Sequence, residues 1–170
     1  MKRIGIFGGT FDPIHFGHIS VAEHALRQAG LDELWFVVSP HNPLKNEEGI
    51  KEAGQRLLEA RKALTDFPEF KVSDIEFDLP RPSYMAQTLR TLQNKYPNDN
   101  FVLIIGGDNL EVFEQWKDYR FLLANYDILV YPRSGSANRV PDEWTRISML
   151  DAPLMDVSST QIRKAQQRKK

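Results

Sequence analysis

Arg3-Ile4-Gly5-Ile6-Phe7-Gly8-Gly9-Thr10-Phe11-Asp12-Pro13-Ile14-His15-Phe16-Gly17-His18 is the stretch on which the reading of this chain turns. A short apolar run ends in two glycines, and beyond His18 the residues Ile19, Ala22, Leu26 and Ala29 recur at helical spacing before Gly30. That order predicts a strand, a glycine turn and a helix, with Gly30 as the residue just past the helix end. Gly8 and Gly9 carry no Cβ, so backbone N–H groups there can approach the oxygens of a phosphate. The free N–H groups and positive dipole at the start of the following helix favour an anion in the same place. His15 and His18 lie on that approach. Each imidazole can donate a hydrogen bond to a phosphoryl oxygen, or become cationic beside a triphosphate.

The pattern repeats outward from there. Short runs rich in β-branched and aromatic residues at 3–7, 33–39, 70–75, 101–106, 127–131 and 146–149 predict strands. Helical spacing predicts helices over 52–64, 84–95 and 110–116. Strands alternating with helices give an α/β class, with a Rossmann-like doubly wound parallel sheet and helices on both faces. Residues 41–49 and 134–142 break the alternation and read as loops near the substrates. No composition shift or repeat divides the chain, so residues 1–170 are expected to form a single domain.

Composition narrows the function. Lys plus Arg number 22 against 23 Asp plus Glu, so no net field favours a polyanion and nucleic acid is not an expected partner. Cysteine is absent, which excludes a disulfide framework and thiolate zinc sites and fits a cytoplasmic setting. The N-terminus turns to glycine too early for a signal peptide. No uncharged run approaches the roughly 20 residues that cross a bilayer, so no membrane association is expected. The last eight residues carry five Lys or Arg, read as a solvated helix end whose cations oppose the dipole. Oligomeric state is left open, a homo-oligomer included.

Near the C-terminus, Val157-Ser158-Ser159-Thr160-Gln161-Ile162-Arg163 reads as a strand end followed by a helix start. Its hydroxyls can cap that helix or donate to an anion, with Arg163 one turn further on.

Thr10 to His18 resembles the T/S-F-D-x-x-H-x-G-H signature of the nucleotidylyltransferase superfamily without departure, and residues 157–163 resemble its second signature, I/V-S-S-T-x-I-R. The resemblance implies the nucleotidylyltransferase type of fold, with the helix of the second signature on the same domain. It also implies an ATP site of Gly8, Gly9, Thr10, Phe11, Gly106, Asp108, Ser158, Ser159 and Thr160, and a catalytic group of His15, His18 and Arg163. His15 and His18 would serve the α- and β-phosphates; Ser159, Thr160 and Arg163 the β- and γ-phosphates. Asp108, after a strongly apolar strand, would meet the ribose hydroxyls.

With Gly107-Asp108-Asn109 leading into Leu110 to Trp116, and Pro82-Ser83-Tyr84 opening the helix that ends near Lys95-Tyr96-Pro97, the chain along nearly its whole length is similar to bacterial nicotinate-mononucleotide adenylyltransferases. The likeness implies that nicotinate mononucleotide and ATP are its partners, the product being the dinucleotide of NAD biosynthesis. It also implies an acceptor site of Lys45, Tyr84, Met85 and Trp116. Trp116 would stack on the pyridine ring, the helix start at Tyr84 and Met85 would offer N–H groups to the carboxylate, and Lys45 would reach the acceptor phosphate. Read alone, Trp116 with Val112 and Phe113 packs a helix on the core, and Lys45 is a solvated loop lysine.

The family often has P-S-Y-T-x-D-T-L where this chain has Pro82-Ser83-Tyr84-Met85-Ala86-Gln87-Thr88-Leu89, losing a hydroxyl and a carboxylate. Relatives usually continue beyond the I-R motif with a further helix, whereas this sequence stops at Lys170. No clustered carboxylate pair is evident, so no protein metal site is expected, and Mg²⁺ would arrive on ATP with few protein ligands. The alternatives are the same chemistry on nicotinamide mononucleotide or phosphopantetheine, and, in another class, a non-catalytic nucleotide-sensing module. A nicotinamide-dependent oxidoreductase is disfavoured because G-x-G-x-x-G is missing.

Overall fold

The computed structural model describes residues 1–40, 52–80 and 82–154. Six strands form one sheet: β1 (Arg3–Gly9), β2 (Glu33–Val38), β3 (Phe70–Ser73), β4 (Asn100–Gly106), β5 (Asp127–Tyr131) and β6 (Ile147–Met149). Their order is β3-β2-β1-β4-β5-β6 and every pairing is parallel. All six expected strands are present, each end within two residues of its expected place. Among the described residues five α-helices accompany them: α1 (Phe16–Gln28), α2 (Ala53–Ala63), α3 (Met85–Lys95), α4 (Gly107–Glu111) and α5 (Tyr119–Asn125).

Strict alternation along each strand divides the core into two layers. Leu34, Phe36 and Val38 of β2, with Val102 and Ile104 of β4, face α1 and α2 through Val21, Ala22, Ala25, Leu57 and Ala60. Ile4, Ile6, Val37, Phe101, Leu103 and Ile105 point the other way, against Leu89 and Leu92 of α3, Leu122 of α5, and Phe113. A sheet apolar on both faces must be covered on both, which is the doubly wound arrangement.

Helix ends follow local chemistry. Gly30 takes φ +60° just beyond α1, and the Leu31 N–H donates to the Leu26 carbonyl at 3.0 Å, a closure that suits a residue without a Cβ. The helix expected over 110–116 is broken instead into α4 and a 3₁₀ turn, Phe113–Gln115. Val112 leaves helical geometry at φ −114°, and Trp116 is extended at ψ 138°. α5 escaped the sequence reading; seven residues are too few for a helical period to declare itself, and its N-cap Asp118 is left-handed at φ 58°.

β1 and β4 lie side by side, yet β1 continues to β2 on one side and β4 to β5 on the other. Their C-terminal ends therefore open a crevice at a topological switch point, the usual ligand position in such sheets. Beneath it, Phe36 stacks on Phe7 at 5.4 Å and meets Phe11 edge-on at 5.4 Å and Phe70 at 5.8 Å. Among the described residues no helix is long and apolar enough to cross a membrane.

Phe36→Ala should destabilise the fold by about 3–5 kcal/mol, since it empties the centre of that ring cluster. Urea unfolding measures this; a loss below about 1 kcal/mol would contradict the packing described.

Candidate active site

The loop leaving β1 is shaped by burial of its own side chains. Phe11, left-handed at φ 49°, turns its ring inward against Phe7 at 5.5 Å and His18 at 5.1 Å. Asp12 precedes a cis proline, Pro13, and is buried. Arg56 of α2, 1 % exposed, reaches into this loop: its Nη1 donates to the Thr10 carbonyl at 2.6 Å and to the Ser39 carbonyl at 2.9 Å, and the Asp12 charge favours its cationic form. The loop is thereby tied to the end of β2.

Gly8 and Gly9 have a packing role that the sequence reading did not foresee. A Cβ on Gly8 would stand 2.8 Å from Met85 Cε, and one on Gly9 3.1 Å from the Phe11 ring. The space above the two glycines is filled by side chains, one of them from the start of α3.

His15 is the N-cap of α1, extended at φ −136° and ψ 177°. Its Nδ1 accepts from the Gly17 N–H at 3.1 Å, while His18 Nδ1 accepts from the His15 N–H at 3.1 Å. This is a capping box built from two imidazoles. Because both Nδ1 atoms accept, the proton of each neutral ring is assigned to Nε2. The rings lie 3.8 Å apart, and His15 Nε2 is buried with no hydrogen-bond partner among the described residues. Each ring thus has its donor on the nitrogen that does not meet the backbone.

The cationic alternative is not the resting state. Burial pushes the His15 imidazole down to about 4, with the Arg133 charge acting in the same sense. His18 falls to about 3, through burial first, then His15, then Arg133. Both are neutral at pH 7 in the structure described.

Across the crevice, Gly106 ends β4. A Cβ there would meet Asp108 Oδ1 at 2.5 Å and Tyr131 Oη at 2.9 Å. Burial, followed by the Asp108 charge, pushes the Tyr131 phenol up to about 12. Arg133, two residues beyond β5, hydrogen bonds with Tyr131 and acts on both histidines. Its backbone is pinned by Asn138, whose Oδ1 accepts from the Arg133 N–H and whose Nδ2 donates to the Arg133 carbonyl, each at 3.0 Å.

The structure therefore brings together Gly8, Gly9, Thr10, Phe11, His15, His18, Gly106 and Asp108 at one end of the sheet, with Met85 against Gly8. Tyr84 is the N-cap of α3, 41 % exposed, and its own side chain makes no capping hydrogen bond. Trp116 packs against the α3 and α5 layer, 5.1 Å from Phe113, in keeping with the core role open to it from sequence. Lys45, Ser158, Ser159, Thr160 and Arg163 lie outside the described residues. Arg56 and Arg133 were missed. The cue for Arg56 was a charge sharing a helical stripe with Leu57 and Ala60; the cue for Arg133 was its place just after a parallel strand.

A 3-2-1-4-5-6 parallel sheet whose first turn delivers two imidazoles to the switch point marks a nucleotidyltransferase of the Rossmann type. Residues 6–165 match the family model described as cytidylyltransferase-like. A probable nicotinate-nucleotide adenylyltransferase of Flavobacterium johnsoniae is 45% identical over 163 residues, covering 95% of this chain and 84% of the relative. A protein of the same name from Bacteroides fragilis is 43% identical over 163 residues, covering 96% and 81%. The chain belongs to the nicotinate-nucleotide adenylyltransferase family. Its fold is shared with Plasmodium falciparum nicotinic acid mononucleotide adenylyltransferase complexed with NaAD, at TM-score 0.78 and 19% identity, over 96% of this chain and 83% of that one.

The neutral histidines link stability to pH. Unfolded imidazoles near 6.5 bind protons before the folded ones at about 4 and 3 do. Their contribution is complete above pH 6.5 and is lost as pH falls through 6.5 toward 4 and 3, at up to about 1.4 kcal/mol per pH unit for each ring. Thermal unfolding between pH 7 and 5 should show this loss, with a shallower slope in His18→Asn. An unchanged slope in the variant would refute the buried neutral imidazole.

Proposed function

We propose that the protein joins ATP to nicotinate mononucleotide, giving nicotinate adenine dinucleotide and pyrophosphate, a step of NAD biosynthesis. The observation that carries this reading is 45% identity, across nearly the whole chain, to a relative named for that activity. The imidazole capping box at the switch point supplies a chemical rationale.

An oxygen of the acceptor phosphate attacks the α-phosphorus of Mg²⁺-bound ATP in line. The new P–O bond forms as the bond from the α-phosphorus to the bridging oxygen breaks, and the electron pair leaves on pyrophosphate. The acceptor phosphate is largely dianionic at pH 7, so it needs no general base, and no covalent intermediate is required. What the protein must supply is position and charge stabilisation. His15 and His18 donate through Nε2–H to phosphoryl oxygens, and Arg133 adds the fixed positive charge that the neutral rings lack. Ser159, Thr160 and Arg163 take the outer phosphates by their motif, with Ser158 beside them in the ATP site, and Asp108 the ribose. On the acceptor side, the N–H groups at Tyr84 and Met85 suit a carboxylate, Trp116 offers an aromatic face, and Lys45 meets the phosphate.

Pyrophosphate release measured in parallel with nicotinate and nicotinamide mononucleotides tests the assignment: the acid should be turned over faster, and equal rates would refute it. His18→Ala should lower kcat by about 10²–10³-fold while ATP affinity changes far less, because the donor acts where charge develops; near wild-type turnover would remove the role. Arg133→Ala should instead raise the KM for ATP roughly tenfold, about 1.4 kcal/mol of lost ground-state attraction, and an unaltered KM would take Arg133 out of the phosphate site.

A further inference from the structure

Glu76 stands in the 3₁₀ turn Ile75–Asp78 that follows β3, and only 3 % of it is exposed. Among the described residues, hydroxyls surround its carboxylate. Thr88 Oγ1 of α3 donates to Glu76 Oε2 at 2.8 Å, Ser39 adds to the hydrogen bonding, and the nearby Ser83 hydroxyl, itself buried without a hydrogen-bond partner among the described residues, acts on the carboxylate electrostatically. Burial pushes the carboxyl above its usual range even so. A buried carboxylate held by hydroxyls is a poor device for stability, since an apolar or amide side chain of the same size would avoid the desolvation cost.

What the carboxylate does join is specific. Ser39 directly follows β2, and its N–H donates to the Gly9 carbonyl at 2.9 Å, within the glycine loop. Ser83 leads into α3, and Thr88 lies in its first turns, with Oγ1 also 3.2 Å from the Tyr84 carbonyl. Met85, between them, places Cε 2.8 Å from where a Cβ on Gly8 would stand. One side chain thus fixes the start of α3 against the end of β2 and, through Ser39, against the loop that leads to the histidines.

We propose that Glu76 is a positioning residue for the acceptor half of the site: its hydrogen bonding to Thr88 and Ser39 holds the first turn of α3 in register with the glycine loop. The proposal rests on the reading of the α3 start as the acceptor side. Two substrates brought together for in-line attack lose rate steeply when one is misplaced by a fraction of an ångström. Glu76 touches neither of them and acts through the helix start.

The experiment is steady-state kinetics of the full chain with ATP and nicotinate mononucleotide, for wild type, Glu76→Gln, Glu76→Leu and Thr88→Val. Glu76→Leu should raise the acceptor KM at least tenfold and leave the ATP KM within about twofold. Glu76→Gln keeps the shape and one acceptor oxygen, and should recover most of the acceptor affinity. Thr88→Val removes one hydroxyl and should raise the acceptor KM three- to tenfold, which keeps the test open if Glu76→Leu does not fold. Acceptor KM values like wild type in the folded variants, or equal increases in both KM values, would overturn the role of Glu76 alone. No turnover of nicotinate mononucleotide by the wild-type protein would overturn the assigned reaction, and this proposal with it.

Discussion

Two hydrogen bonds at the head of α1, from Gly17 N–H to His15 Nδ1 and from His15 N–H to His18 Nδ1, set the terms for the rest of the site. A helix start has N–H groups without intrahelical partners, and here imidazoles take up two of the local donors. Each ring accepts on one nitrogen and must therefore donate from the other, so the donor character of the helix end is passed outward through the rings. Hydrogen bonds in series polarise one another, which strengthens the outer N–H. Two rings with centroids 3.8 Å apart could not both be cations without strong repulsion, and burial settles them as neutral. Fixed charge comes instead from Arg133, in the segment that follows β5.

That arrangement makes demands on the loop before it. His15 must reach an extended N-cap conformation directly after a chain reversal, and the reversal is held from beneath. Phe11 is locked among Phe7, Phe36 and His18, and Arg56 spans from the Thr10 carbonyl to the Ser39 carbonyl. The tight approach at Gly8 and Gly9 follows from the same packing. Neither glycine can carry a side chain without displacing Phe11 or Met85. The two core layers therefore meet the site at its floor, and rigidity there is a property of the core as much as of the loop.

The sheet was legible because its chemistry is local: runs such as Phe101-Val102-Leu103-Ile104-Ile105 are buried on both faces and can be little else at that length. The glycine turn and α1 were legible for the same reason. The tautomers of His15 and His18 were not, since they depend on which nitrogen meets a backbone N–H three-dimensionally close but chemically anonymous in the sequence. Arg133 and Glu76 were out of reach because their partners lie far along the chain. Arg133 acts on residues more than a hundred positions earlier, and Glu76 joins Ser39 to Thr88. The helix over 110–116 failed for a local reason: Val112 and Trp116 trade helical geometry for a turn that seats Phe113 in the core.

The distribution of buried polar groups separates what stabilises this fold from what equips it. Among the described residues Asp12, His15, Glu33, Arg56, Glu76 and Thr88 are the buried polar or charged side chains. Glu33 sits at the start of β2, where Lys71 at 3.0 Å and Lys2 at 3.2 Å neutralise it, an ordinary solution for a carboxylate near the surface. The other five gather at the opposite end, around the crevice. Arg56 is satisfied largely by carbonyls and Glu76 by hydroxyls, and the two meet at Ser39, one at its carbonyl and the other at its side chain. Such groups cost desolvation that hydrophobic residues of equal volume would avoid. Their concentration at the mouth of the β1–β4 crevice is therefore hard to explain by folding, and easy to explain by the need to hold two anionic substrates in one fixed geometry.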